Sequence, residues 1–230
     1  MTSTKIIKAA SAAFLFAMAA MPGVAQAQSE NERALLVAAE RGELVVVRQL
    51  VARGGINVNA RDMRGRTALL LATHRNEVEV ARVLIQEGAD VNAKDHIQDS
   101  PFLYAGAEGR SEILKLTLAN GADLKSVNRY GGTALIPAAH HGHVEAVRIL
   151  LGTSIDKDHV NNLGWTALLE AVILGNGGPA YTEIVRLLVE AGADVNIADR
   201  DGVTALAHAR RRGYAGMVQI LANPKRPSRD

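Results

Sequence analysis

Three histidines fall within four residues, His140, His141 and His143, and imidazole is both the side chain that titrates near neutral pH and a common metal ligand. Adjacent histidines point to different sides of a helix, however, and two ligands on one helical face need a spacing of about four residues. No carboxylate or further histidine accompanies the cluster at ligand spacing. With no cysteine in the chain, disulfides, thiol catalysis and cysteine zinc sites are excluded. The sequence has no phosphate-binding loop ending in Lys-Ser/Thr, no Gly-x-Ser-x-Gly elbow and no His-Glu-x-x-His. The run Gly175-Asn176-Gly177-Gly178 lacks the strand and helix of a dinucleotide site. No catalytic, cofactor or metal residue is therefore assigned, and His140 and His141 read as surface residues that meet a partner and make that contact pH-sensitive. A small metal protein or enzyme using this pair is the alternative class.

What positions these residues is a repeated unit. Thr67-Ala68-Leu69, Ser100-Pro101-Phe102, Thr133-Ala134-Leu135, Thr166-Ala167-Leu168 and Thr204-Ala205-Leu206 recur at steps of 33, 33, 33 and 38 residues. A fixed period of this size marks a solenoid, in which each unit buries its apolar face against its neighbours. In the second unit Thr67 is a helix cap, and Leu69 and Ala72 form one apolar stripe. Val80, Val83 and Leu84 form another, and Gly88 ends the second helix where a left-handed backbone favours glycine.

Asp62-Met63-Arg64-Gly65-Arg66-Thr67-Ala68-Leu69 followed by Gly88-Ala89-Asp90-Val91-Asn92 resembles the ankyrin repeat, and most of the chain follows that pattern in register. The resemblance implies an all-α fold, a solenoid of stacked helix pairs with short β-hairpin fingers, in six units at 31–60, 61–93, 94–126, 127–159, 160–197 and 198–223. The repeat domain spans 28–223, and 224–230 reads as a disordered basic tail. The usual histidine after the repeat leucine is apolar in every unit (Leu36, Leu70, Leu103, Ile136, Leu169, Ala207), which predicts a dry inner layer. The second helix of the fourth unit is expected to stop early at Gly152. Five extra residues within 175–182 read as a loop between helices, either a tolerated insertion or one whose Tyr181 touches a partner.

The first 27 residues read differently. Lys5 and Lys8 precede an apolar stretch from Ala9 to Met21, then Pro22-Gly23 and Ala25-Gln26-Ala27, the pattern of a cleavable secretory signal. Thirteen apolar residues fall short of the roughly 20 that a membrane-spanning helix needs. Removing this leader takes away two of the 26 Lys and Arg and leaves a number equal to the 24 Asp and Glu. A neutral mature chain gives no basis for nucleic-acid binding by net charge. The expected destination is the bacterial periplasm, with release outside the cell as the alternative.

In proteins of the resembled family, partners meet the finger tips and the first helices, the concave face. Carried over residue by residue, that face holds Arg64, Arg66, His74, Arg75, His96, Ile97, Arg129, Tyr130, His140, His141, Leu163, Trp165, Ile173, Arg200 and Arg211. Arginine outnumbers acid among the tip positions, so the expected partner is a protein with an acidic surface, bound by a monomer with no cofactor and no membrane insertion. The functional expectation is a non-catalytic interaction module, and the resemblance adds an accessory role in stress or peroxide defence. A secreted factor acting on host or competitor proteins is the second class.

Overall fold

The computed structural model describes residues 29–224, so the leader and all but Pro224 of the tail lie outside the described residues. Among these, twelve helices form six antiparallel pairs. They are α1 (Glu30–Glu40) and α2 (Leu44–Ala52), α3 (Ala68–Arg75) and α4 (Val78–Gln86), and α5 (Pro101–Ala107) and α6 (Ser111–Ala119). The remainder are α7 (Leu135–His140) and α8 (Val144–Leu151), α9 (Ala167–Ile173) and α10 (Pro179–Glu190), and α11 (Ala205–Arg211) and α12 (Ala215–Ala222). Each odd helix packs on its even partner and on the next odd helix, and each even helix packs on the next even one. Two layers result, stacked along one direction as the period requires.

The odd helices begin where the repeated Ser or Thr stands because its hydroxyl accepts one of the N–H groups that a helix start leaves free. Thr67, Ser100, Thr166 and Thr204 accept from Leu70, Leu103, Leu169 and Ala207 at 3.2, 3.2, 3.2 and 3.4 Å. Thr133 is the exception: α7 has no side-chain cap, and the Thr133 hydroxyl is buried without a partner. Thr166→Ala is expected to cost about 1 kcal/mol, read as a lower urea midpoint with an unchanged slope.

Between pairs, five fingers share one closure. The backbone N–H of Asp62, Asp95, Asn128, Asn161 and Asp199 donates to the carbonyl four residues on, at 2.9–3.0 Å. The same residue's side-chain Oδ1 accepts from the N–H groups two and four residues ahead. That double duty explains why only Asp or Asn stands there. Antiparallel bridges Arg61–Thr67 and Ala198–Thr204 mark two of the fingers as short hairpins.

The core is a continuous seam. Leu69, Phe102, Leu135 and Leu168 are fully buried, as are Leu70, Leu103, Ile136 and Leu169 behind them, so the dry inner layer is present; Leu36 joins it, and Ala207 in the last unit is half-buried. α8 ends at Leu151 with Gly152 as its cap residue, the early stop expected from the sequence.

The insertion departs from expectation. Only 175–178 is loop, and Pro179, Ala180, Tyr181 and Thr182 form the first turn of α10. Proline suits that position because its fixed φ is helical and its missing N–H is one the helix does not use. Tyr181 is half-buried: its O–H donates to the His140 carbonyl at 3.0 Å, and its ring lies over Gly142 of the fourth unit. It is a tie between repeats, not a loop contact. Gly175 must be glycine, since a Cβ there would sit 2.2 Å from the Ala171 carbonyl oxygen.

Candidate functional site

The fingers and odd helices of the third to fifth units enclose a cleft of about 380 Å³. The fingers contribute Asp99, Asn128, Arg129, Tyr130, Asn161 and Leu163, and the helices contribute Tyr104, Glu108, Ile136, Pro137, His140, His141, Glu170 and Leu174. Its most unusual member is Glu170, a carboxyl only 4% exposed in the inner face of α9. Asn161 Nδ2 donates to Glu170 Oε1 at 2.7 Å, and His140 Nδ1 stands 3.4 Å from Oε2. Burial disfavours the charged form and pushes the Glu170 carboxyl up to about 7, against the Asn161 hydrogen bond and the nearby His141, which both favour ionisation. Burial, aided by His141, also holds His140 below the ordinary imidazole value. At neutral pH the His140–Glu170 pair is thus poised, not locked as an ion pair.

The pairing has a repeat logic. Glu170 and His208 both stand four residues after the repeat threonine, and each bonds the finger-base residue of its own unit. In the sixth unit His208 Nε2 lies 2.6 Å from Asp199 Oδ2, with the acid on the finger where the fifth unit has it on the helix, and that bond lowers the Asp199 pKa. Sequence reasoning missed Glu170, Asn161, Tyr104 and Pro137. The available signal was an acid at a row otherwise occupied by Leu71, Tyr104, Pro137 and His208.

Apart from Arg129, His140 and His141, the expected surface residues divide into three groups. Arg64, Arg75, Ile97, Tyr130, Leu163 and Arg211 are exposed on the shared face. His96 and Arg200 are exposed but stack on the preceding finger, over Gly65 and Gly164, and Arg200 donates to the Asn162 carbonyl. Arg66, His74, Trp165 and Ile173 are half-buried. Arg66 is held by Asp62 at 2.7 Å with Glu40 at 3.9 Å, and His74 stacks on Tyr104 at 4.2 Å, its Nε2 buried without a hydrogen-bond partner. Trp165 and Ile173 pack on the core. Arg129 lies 3.4 Å from Asp99 and 4.9 Å over the Tyr130 ring, and His141 Nδ1 meets the Ala107 carbonyl at 2.7 Å.

A tip-by-tip charge count therefore overstates the positive character of this face. Asp62 and Glu40 answer Arg66, Asp99 answers Arg129, and Glu170 and Glu108 add acid at the centre. Among the described residues no group of three or more His, Asp or Glu side chains is placed to hold a metal ion, because His140 and His141 are turned to different partners.

Residues 7–95 and 102–199 match the model for ankyrin repeats (3 copies). The chain belongs to the ankyrin repeat family. As an ankyrin repeat protein it is similar to several solved structures. An ankyrin repeat domain from Acinetobacter baumannii AYE is 55% identical, with a TM-score of 0.79 over 82% of this chain and 95% of that one. A second solved ankyrin repeat protein is 44% identical, with a TM-score of 0.82 over 84% and 98%. The ankyrin repeat domain of Bcl-3, a member of the IkappaB protein family, is 30% identical, with a TM-score of 0.75 over 85% and 87%. Among curated proteins, the ankyrin repeat protein YahD of Escherichia coli strain K12 is 42% identical over 52 residues, a match spanning 23% of this chain and 26% of that relative. Ankyrin repeats are protein–protein interaction modules, generally without catalysis, and the stacked pairs with free fingers seen here are that scaffold.

Proposed function

We propose that this ankyrin repeat protein is a non-catalytic docking module of the bacterial periplasm, acting as a monomer, that holds a partner protein on its concave face, with acidic parts of that partner's surface meeting the exposed arginines toward the ends of the stack. The observation that carries this reading is the cleft bounded by fingers and odd helices, flanked by exposed Tyr130, Ile97 and Leu163 and, toward the ends, by Arg64, Arg75, Arg210 and Arg211. Aromatic and arginine side chains are the types that most often dominate interfaces, at about 2 kcal/mol or more each when buried. The signal-like leader supports export, and an accessory role in stress or peroxide defence is the process proposed for it.

The test is affinity capture from an envelope fraction with the mature chain, followed by site-specific crosslinking to map the contact. Arg64→Glu combined with Tyr130→Ala is expected to weaken the captured partner's binding at least 30-fold, since 2 kcal/mol corresponds to about that factor. Trp165 is left intact because it supports the core. Crosslinks confined to the even helices, or unchanged affinity of the double variant, would overturn the concave-face assignment.

A further inference from the structure

We infer that the central cleft is a receptor for one basic side chain, lysine or arginine, projecting from the docked partner. The inference rests on the docking reading of the same face and adds the chemistry at its centre. The cleft has the shape and the lining that a long cationic side chain needs. Tyr104, Tyr130, Leu163 and Leu174 form walls along which a methylene stem can lie, and the floor carries the Glu170 carboxylate.

Charge decides the sign of the guest. The cleft contains three carboxyl groups, Asp99, Glu108 and Glu170, against one guanidinium, Arg129. Arg129 is already engaged, lying over Tyr130 and against Asp99. Glu170 Oε1 is oriented by Asn161, and the basic group beside Oε2 is an imidazole that burial keeps below its usual pKa. Glu108 has only His141, at 3.9 Å. A buried carboxylate without a cation is costly, and an incoming ammonium or guanidinium relieves that cost while excluding water. An acidic guest would face two carboxylates with no free partner to offset them.

The titratable groups facing Glu170 are His140 and His141 from α7, Asp99 and Arg129 from the fingers, and Glu108 at the end of α5; on α11, His208 is committed to Asp199. Glu170 gives up its proton when the cation enters, so affinity should rise between pH 6 and pH 8 with uptake of a proton by the buffer.

The experiment uses isotope-labelled mature chain titrated with three blocked amino acids, Nα-acetyl-lysine amide, Nα-acetyl-arginine amide and the neutral isostere Nα-acetyl-norleucine amide, at pH 8. The cationic probes are expected to shift the side-chain signals of His140 and Tyr130 saturably and at least fivefold more tightly than norleucine. Glu170→Gln should remove that preference and Glu108→Gln should weaken it. Equal binding of all three probes, or a preference that survives Glu170→Gln, overturns the cationic pocket while leaving concave-face docking in place. Crosslinks mapping to the convex side would instead sink the docking reading, with the small-cation titration still answering for the pocket. The same preference measured at pH 6 should fall several-fold; a flat pH response counts against Glu170 as the recognising group.

Discussion

Glu170→Gln is expected to raise the melting temperature at pH 8 by roughly 5–10 °C and to change it little near pH 4.5. A folded-state pKa of about 7 against an ordinary 4.5 means that the folded chain resists ionising a group that ionises freely when unfolded. The penalty is fully present above pH 7, declines as the pH falls and is gone below about 4.5, where both states hold the proton. At about 1.4 kcal/mol per pH unit this amounts to roughly 3–4 kcal/mol. Glutamine keeps an oxygen to accept from Asn161 and never ionises. Thermal unfolding of both chains from pH 4.5 to pH 8 tests this; parallel curves would show that Glu170 ionises as easily in the fold as outside it. Retaining a destabilising acid is intelligible if the cleft binds a cation, because binding then recovers the energy of ionisation.

Phe102→Ala is expected to cost about 3–5 kcal/mol, the largest effect of any single truncation proposed here. Phe102 is fully buried in α5, at the repeat position held by leucine in Leu69, Leu135 and Leu168, and its N–H donates to the Val91 carbonyl at 3.1 Å. It therefore joins the third helix pair to the turn before it. In a solenoid, stability is a sum of repeats and nearest-neighbour interfaces, so a cavity in a central unit also weakens the coupling between the two ends. The single tryptophan, Trp165, reports the fifth unit, whereas circular dichroism reports all helices. In the variant the two urea transitions should separate. Coincident transitions with a midpoint lowered by less than the equivalent of 1 kcal/mol would show that the seam does not depend on this side chain.

The repeated Thr/Ser-x-Leu phrase and the turn glycines made most of this architecture legible, because they act locally. A hydroxyl capping the N–H three residues ahead, or a glycine taking a left-handed turn as Gly88 does at φ 85°, needs nothing from the rest of the chain. The insertion was misjudged for a related reason: glycine and proline signal breaks, but Pro179 begins a helix as readily as it ends one, and the neighbouring surface over Gly142 decided the matter by receiving the Tyr181 ring.

The site was legible only in outline. Repeat register identified which positions face outward, yet it counted arginines without their partners: Asp62 became visible as the partner of Arg66 only when its own finger closed, and Asp99 as that of Arg129 only when neighbouring fingers lay beside each other. Glu170 passed unnoticed because an acid in a helix is ordinarily solvated. Period and composition fix which residues lie on which layer, since capping and burial repeat with the chain. Tertiary stacking alone decides that one such residue is stripped of water between α7 and the fifth finger, because desolvation and charge pairing depend on atoms contributed by different repeats.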